Sequence, residues 1–411
     1  MTTSDLMGRE RVCPPALTGI PMLEDLRDLS GARVLVRTDF NVPLQTNADG
    51  TVEVADSFRI RTALPTLEWL QTQGASVSVC SHLGRPDGLR DERWNMEPVR
   101  RRLMELAPGV ELMENLRFFP GEKANDPEFV RELVKGFDAY VNDAFGVSHR
   151  SHASIVGPPL TLPSAAGRRL AEEVRVLCGL LSTPSHPFVA VVGGAKIGDK
   201  LGLLRSLAQK VDFLIIGGAM SFTFMAAMGH EVGASLVDLD HIEECRQLLR
   251  NYEKIMLPSD VVALEPGYTF GPDACRQGPC GATKVLERDI PDGWQGLDIG
   301  PDSAQAFSKI IESASTVLWN GPMGAFEDER FSAGTAAIAH AVASCAGHSV
   351  VGGGDSARAL EQLDLVKSID FLSTGGGASL ELLEHGDLPG LKALRSAKNA
   401  PSMNQHKIPK T

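Results

Sequence analysis

Residues 188–204, FVAVVGGAKIGDKLGLL, decide how the chain is read: a short apolar run meets a glycine pair, two lysines and an apolar pattern of helical spacing. Val189, Val191 and Val192 form a β-branched run too short for a helix, whereas Leu201, Leu204 and Leu207 recur as on one helix face. The segment predicts strand, tight turn, helix. Gly193 and Gly194 permit a sharp turn and are expected to leave amide N–H groups uncovered at a helix start, where an anion binds well. Lys196 and Lys200 stand four apart, which predicts both ammonium groups on one side of the first helical turn, with a phosphate chain relieving their repulsion. An ordinary strand-to-helix connection carrying two solvated lysines fits the same residues. The segment is no Walker loop, because the lysine does not follow the last glycine and no Ser or Thr comes next.

A chain of 411 residues exceeds what one hydrophobic core usually supports, so two domains are expected. Its 43% hydrophobic content is that of a globular protein. No apolar run approaches the roughly 20 residues of a membrane span, and the N-terminal MTTSDLMGRERVCPP has no apolar core of a secretory signal. A cytoplasmic protein without a membrane partner is the expectation. The formal net charge of −12 argues against nucleic acid as a partner, so any anionic ligand must be held by cations gathered locally. Seven scattered cysteines make no disulfide framework. Only Cys275 and Cys280 lie close together, in the Gly/Pro-rich loop 265–284, and free thiols are expected there.

In the first half, five strand or helix ends bring cations to one rim. SGARVLVRTDFNVPL gives a strand over Val34–Val36 whose carboxyl end carries Arg37, Asp39 and Asn41. SFRIRTALPTLEWLQ reads as a helix with Ile60, Leu64, Leu67 and Leu70 on one face, Arg59 near its start, and Pro65 bending it or delaying its first turn. A strand through Val77 and Val79 leads to His82 and Arg85, ELMENLRF places Arg117 after another, and FDAYVNDAFGVSHRSH places His149, Arg150 and His152 past a fourth. In open α/β sheets, ligands bind at the carboxyl ends of strands. So many cations on one rim would repel one another without a shared anion, and Arg grips carboxylate and phosphate oxygens in a planar, bidentate way. The rim is suited to a small, densely charged anion.

The proline-rich SIVGPPLTLPS, residues 154–164, cannot form a long helix, and the helical pattern of Leu170, Val174, Leu177 and Leu181 follows it, ended by STPSHP; together they read as a connector between domains, and a surface helix within one domain fits the same residues. Beyond it the strand ends change character. Gly217 and Gly218, Asn320, Gly321 and Gly324, Gly352–Asp355 and Gly375–Gly377 offer bare backbone instead of long cations. Such ends, with Lys196 and Lys200 among them, suit a nucleotide lying along the rim. Glu327 is placed to accept from both ribose hydroxyls, and Asp355 either holds Mg2+ against phosphate oxygens or caps the helix over SARALEQL, or both. No G-x-G-x-x-G opens a helix after the first strand, so a dinucleotide fingerprint is missing.

With VLVRTDFNVP, SHLGRPDG, ENLRF, AFGVSHRSHAS, GGAKIGDK, WNGPMGAFE, GGGDSA and STGGGASLELLE in series, the chain resembles the phosphoglycerate kinase family over roughly residues 22 to 395. The resemblance implies an α/β fold of two Rossmann-like domains with mainly parallel sheets, joined by a helix, with a cleft between them. Residues 1–185, with a connecting helix near 168–182, would bind 3-phosphoglycerate; 186–385 would bind nucleotide; and 386–411 would return to the first domain. The implied reaction is reversible phosphoryl transfer from 1,3-bisphosphoglycerate to MgADP, giving 3-phosphoglycerate and MgATP in glycolysis and gluconeogenesis. The implied enzyme is a phosphotransferase with a carboxyl acceptor, acting as a monomer.

By the same resemblance, Asp39, Asn41, Arg59, His82, Arg85, Arg117 and Arg150 would hold the glycerate ligand, beside the rim residue Arg37. Lys196, Lys200, Asn320, Glu327, Asp355 and Ser356 would serve the nucleotide, with Gly194, Gly218, Gly353 and Gly354 lending backbone and Asp355 holding Mg2+. Arg59, Lys196 and the amides of Gly375, Gly376 and Gly377 would stabilise the transferring group. Ser356 stands where Thr is usual, Val147-Ser148 replaces Thr-Ala, and the loop 265–284 is longer than usual. The alternatives are a kinase for another phosphorylated acid, which would differ in the first-half cations, and a catalytically silent scaffold, which would have lost a charged residue. The domains must then close for turnover, with hinges expected in 167–187 and at Ser373-Thr374.

Overall fold

Residues 15–275 and 279–397 are described by the computed structural model. The chain divides into two units: unit 1 comprises residues 15–179 with 385–397, and unit 2 comprises residues 180–384. The leader through residue 14 and the tail beyond residue 397 lie outside the described residues.

Unit 1 is built on a five-stranded parallel sheet. Its spatial order is Glu111–Leu112, Ser76–Cys80, Arg33–Thr38, Ala139–Asp143, Ser164–Ala166. Helices on both faces force the inner strands to be apolar on both sides, which is why Val34, Leu35, Val36, Val79 and Val141 are all buried. The helix Phe58–Thr72 buries Ile60, Leu67 and Leu70 against this sheet and leaves Leu64 half-buried. It starts ahead of Pro65 and runs on through it. The strand order reverses direction at the first strand, so Arg33–Thr38 and Ala139–Asp143 flank the crevice where such sheets take ligands.

Unit 2 has a six-stranded parallel sheet in the order Ile255–Met256, Phe213–Ile216, Phe188–Val192, Thr316–Asn320, His348–Gly352, Phe371–Leu372. The strand Phe188–Val192 is buried throughout, as its β-branched run predicts. Asn320 lies beside Val192 on one side and Gly352 on the other, which brings the loops after three strands together. A small antiparallel sheet of Thr283–Glu287, Asp260–Leu264 and Gln295–Ile299 completes the unit.

Several local expectations are corrected. Gly193 and Gly194 do not open a helix: a bend and a 3-10 turn, Gly198–Lys200, intervene before the helix Leu201–Ala208. Lys196 lies in the irregular segment before the 3-10 turn, so the two lysines do not share a helical turn. The segment 154–164 is no connector but part of unit 1, ending in the edge strand Ser164–Ala166; three small residues carry too little β-branched signal to be seen as a strand. Cys275 and Cys280 are joined by a disulfide, their Cα atoms 4.6 Å apart, within the range such a bond spans. Among the described residues, Cys80, Cys245 and Cys345 are free thiols. The chain passes between units within the helix Arg168–Ser182 and again at Glu384–His385, so Ser373-Thr374 lies inside unit 2. The returning helix Pro389–Ser396 belongs to unit 1, where Gly390 N–H donates to the Ser148 carbonyl at 2.9 Å.

The inter-unit helix is capped from the sheet. Asp143, the last residue of its strand, accepts the N–H groups of Arg169 and Leu170 through Oδ1 at 2.9 and 3.1 Å. Burial pushes the Asp143 carboxyl up to about 7, against the lowering effect of those amides and of Arg169. An unfolded aspartate releases its proton near pH ~4. The stabilisation from the folded, protonated form is therefore complete below pH ~4 and is lost as pH rises through about 7. Asp143→Asn keeps the acceptor oxygen and cannot ionise. Its melting temperature should vary less than that of the parent between pH 4 and 8, whereas parallel melting curves at every pH would show that Asp143 is not the group that titrates.

Candidate active site

At the carboxyl ends of its strands unit 1 gathers five arginines and three histidines around Asp39: Arg37 within the strand Arg33–Thr38, Arg59 on the helix Phe58–Thr72, and Arg85, Arg117, Arg150, His82, His149 and His152 in the segments after the strands. Asp39 is buried and receives Arg59 Nη1 on Oδ2 at 2.7 Å and the Asn41 N–H on Oδ1 at 3.4 Å. Burial would raise its carboxyl, but Arg59, Arg37 and the Asn41 amide outweigh it and hold Asp39 below the ordinary range. His82 Nδ1 stands 3.8 Å from Asp39. Burial, reinforced by Arg37, Arg117 and Arg59, drives His82 well below its usual value in spite of Asp39, so the ring is neutral. His152 is likewise lowered to about 4, by burial and then by Arg117, Arg37 and Arg150. The positive charge here is therefore arginine charge.

Those arginines differ in what they already hold. Arg37 is turned into the interior, 1% exposed, where Nε donates to Ser154 Oγ at 2.8 Å and Nη1 to the Thr38 carbonyl. Ser154 Oγ in turn donates to the buried Glu122 at 2.6 Å, a link between residues 32 apart in sequence that no local pattern reveals. Asn41 Oδ1 accepts the Gly84 N–H at 2.8 Å, fixing the loop that carries Arg85. Arg117 is seated by the buried Asn115, whose Oδ1 accepts the Arg117 N–H at 3.0 Å, and its Nη1 donates to the Gly84 carbonyl at 3.1 Å. Its Nε is buried with no hydrogen-bond partner. Burial lowers the Arg117 guanidinium, and Arg150, Arg37 and Arg85 lower it further, with Asp39 as the opposing charge. The guanidinium groups of Arg85 and Arg150 are exposed and have no hydrogen-bond or ion-pair partner among the described residues. His149 is half-buried, with Nδ1 unpartnered. Two carboxylates, Asp39 and the buried Glu122, among five arginines leave a net positive field suited to a polyanion.

In unit 2 the glycines fall into two sets. The N–H groups of Gly193, Gly194 and Gly218 donate to the carbonyls of Asn320, Pro322 and Met323 at 3.0, 3.0 and 2.9 Å. They are not uncovered amides. A Cβ on Gly193 would collide with the Pro322 carbonyl, so this set lets three loops pack backbone to backbone. Gly353 and Gly354 are the other set. Gly353 adopts φ +94° just before the helix Gly354–Gln362, nothing lies within 4 Å of where a Gly354 Cβ would stand, and a Cβ on Gly376 would be 4.0 Å from Gly353 Cα. Gly376 begins the helix Gly376–His385. Two helix N-termini of nine and ten residues thus meet, aiming unpaired first-turn amides and partial positive charge at one locus.

The polar residues around that locus are unevenly available. Lys200 is half-buried, and Nζ donates to the Gly193 carbonyl at 2.6 Å and to Asn320 Oδ1 at 2.9 Å. Burial lowers it to about 8 despite Asp355 and Asp199. Ser356 is buried, its Oγ accepting the Gly321 N–H at 2.7 Å. Lys196 is exposed and its ammonium has no hydrogen-bond or ion-pair partner among the described residues. Asp355 is exposed in the first turn after the glycines, and Gly353, not Asp355, occupies the N-cap position. Glu327 and Asp355 are joined by Arg358, which the sequence reading missed. Its i, i+3 spacing from Asp355 was legible, but its approach to Glu327, 31 residues away, was not.

A family model described as phosphoglycerate kinase matches residues 23–111 and 107–386. The phosphoglycerate kinase of Rubrobacter xylanophilus is 46% identical over 391 residues, covering 89% of this chain and 96% of the relative. That of Moorella thermoacetica is 46% identical over 400 residues, covering 90% and 98%. Among solved structures, the phosphoglycerate kinase of Coxiella burnetii aligns with a TM-score of 0.79 at 34% identity, covering 91% of this chain and 98% of that one. The Pyrococcus horikoshii structure aligns with a TM-score of 0.76 at 27% identity, covering 92% and 99%. Matches across nearly the whole of both chains, over two parallel sheets that end in an arginine-rich rim and a pair of helix N-termini, establish that the chain belongs to the phosphoglycerate kinase family.

Proposed function

We propose that unit 1 holds the glycerate partner and unit 2 the nucleotide in the reaction this kinase catalyses, the reversible transfer of a phosphoryl group from 1,3-bisphosphoglycerate to ADP. The observation that carries the assignment is the imbalance at Arg117, a guanidinium crowded by Arg150, Arg37 and Arg85 with an unpartnered buried Nε. A phosphorylated carboxylic acid supplies the missing anion. Arg59, Arg85, Arg117 and Arg150 grip its oxygens, Asp39 and Asn41 orient Arg59 and the Gly84 loop, and neutral His82 adds a hydrogen bond. Arg37 supports from behind the site. The converging amides of Gly353, Gly354, Gly376 and Gly377 receive nucleotide phosphates, and Glu327 accepts from the ribose hydroxyls. Lys200, Asn320 and Ser356 hold the surrounding loops in place, as do Gly194 and Gly218.

Asp355 fits Mg2+: it is a single exposed carboxylate beside open amides, and this ion keeps most of its coordination for water and phosphate oxygens. When bound with the nucleotide, Mg2+ neutralises phosphate charge. An ADP β-phosphate oxygen attacks the acyl phosphate, a new P–O bond forms, and the bond to the carboxylate oxygen breaks to release 3-phosphoglycerate. The protein's part is positioning and charge compensation. Arg59 of unit 1 and Lys196 of unit 2 neutralise the equatorial oxygens in flight, helped by the Gly376 and Gly377 amides; the expected Gly375 amide is not open, because its N–H donates to Ser373 Oγ at 3.2 Å. Turnover then requires the two units to close on one phosphoryl group. Each unit carries its own half of the reaction, which supports a monomer, and a cytoplasmic setting suits the reaction.

A coupled assay of ATP formation from 1,3-bisphosphoglycerate tests the reading directly. Lys196→Ala should lower kcat by about 10²-fold with little change in KM, because its charge is matched only in the transition state. A folded variant with an unchanged kcat would remove Lys196 from the chemistry.

The division of ligands is tested by calorimetric titration. Arg150→Ala should weaken 3-phosphoglycerate and spare ADP, and Glu327→Gln should do the reverse. If either variant weakened both ligands equally without unfolding, the two-unit division of ligands would be wrong.

A further inference from the structure

Phosphoryl transfer as described gives no role to Arg358, yet this side chain touches both carboxylates assigned to the nucleotide. It follows Asp355 by three residues on the helix Gly354–Gln362, one turn away. Its Nη2 donates to Glu327 Oε1 at 2.5 Å and lies 3.4 Å from Asp355 Oδ1, while its guanidinium carbon stands 5.0 Å from the centre of the Phe326 ring. The ring face and two carboxylates hold the planar group on three sides. Glu327 Oε2 has no hydrogen-bond partner among the described residues.

Two carboxylates this close repel each other, and one cation between them holds both in place. A half-exposed glutamate also loses side-chain freedom when a ligand fixes it, and less is lost if a neighbour has already fixed it. A carboxylate oxygen that receives the guanidinium leaves the second oxygen, with its lone pairs, to accept from a diol.

We propose that Arg358 is a positioning residue for nucleotide recognition, clamping Glu327 through Oε1 so that Oε2 accepts from the ribose hydroxyls of a nucleoside diphosphate. The role rests on the assignment of Glu327 to the ribose. It acts on the sugar and not on the phosphates, so its effect must vanish when the sugar has no hydroxyls to donate.

Calorimetric titrations of the parent enzyme, Arg358→Ala, Arg358→Lys and Glu327→Gln with ADP and with 2′,3′-dideoxy-ADP separate the possibilities. Arg358→Ala should weaken ADP by about two- to five-fold, the range set by an exposed ion pair, and leave dideoxy-ADP unchanged. Arg358→Lys, which keeps the charge and loses the fork and the stacking, should fall between Arg358→Ala and the parent. Glu327→Gln should narrow the preference for ADP over dideoxy-ADP. If Glu327→Gln keeps the parent's preference, the ribose assignment itself is wrong and the role of Arg358 falls with it. If Glu327→Gln loses the preference but Arg358→Ala weakens both ligands equally, or neither, the ribose assignment stands and the positioning role is overturned.

Discussion

Parallel pairing sends every strand of a sheet out through the same edge, so the loops that follow must share one rim. Both units depend on that constraint. In unit 1 the register sets Arg37 between Cys80 and Asn142, and in unit 2 it sets Asn320 between Val192 and Gly352. Residues separated by a hundred positions become neighbours because hydrogen-bonded strands lie less than 5 Å apart. The helices that cover both faces keep the strands apolar and push polar chemistry to the rim.

The two rims create positive potential by different means. Unit 1 uses side chains, with arginines gathered near the buried Asp39 and imidazoles kept neutral by burial and by their cationic neighbours. Unit 2 uses backbone, with two helix N-termini facing one locus across glycines that leave it open. A small acid needs strong, directional grip on few oxygens, which arginine supplies. A nucleotide presents a longer chain of phosphates that amides can follow closely.

Rigid support lies one layer behind each rim. Ser154 and Glu122 sit behind Arg37, Asn115 behind Arg117, and Lys200 with Ser356 ties the loops around Asn320. Asp143 stands at the junction: it ends a strand of the unit 1 rim and caps the helix that leads toward unit 2. The returning helix Pro389–Ser396 is hydrogen-bonded to Ser148, two residues before Arg150, so the end of the chain braces the loop that carries this arginine.

What the sequence determined was the periodic part: β-branched runs made the inner strands, apolar spacing made the helices, and the long motifs at strand ends gave the residues of both rims and their family. These signals are local, and the physics that enforces them acts within one turn or one strand. Tertiary structure alone decided which of those residues are free to bind. Gly193 and Gly194 read as open amides but donate across to neighbouring loops, Lys200 and Ser356 hold backbone, and Arg37 faces the interior. The edge strand Ser164–Ala166, the Cys275–Cys280 bond and the clamp of Arg358 on Glu327 likewise depend on partners brought close by folding. A hydrogen bond or ion pair between distant residues leaves no period in the sequence, because its geometry exists only once the strands have paired.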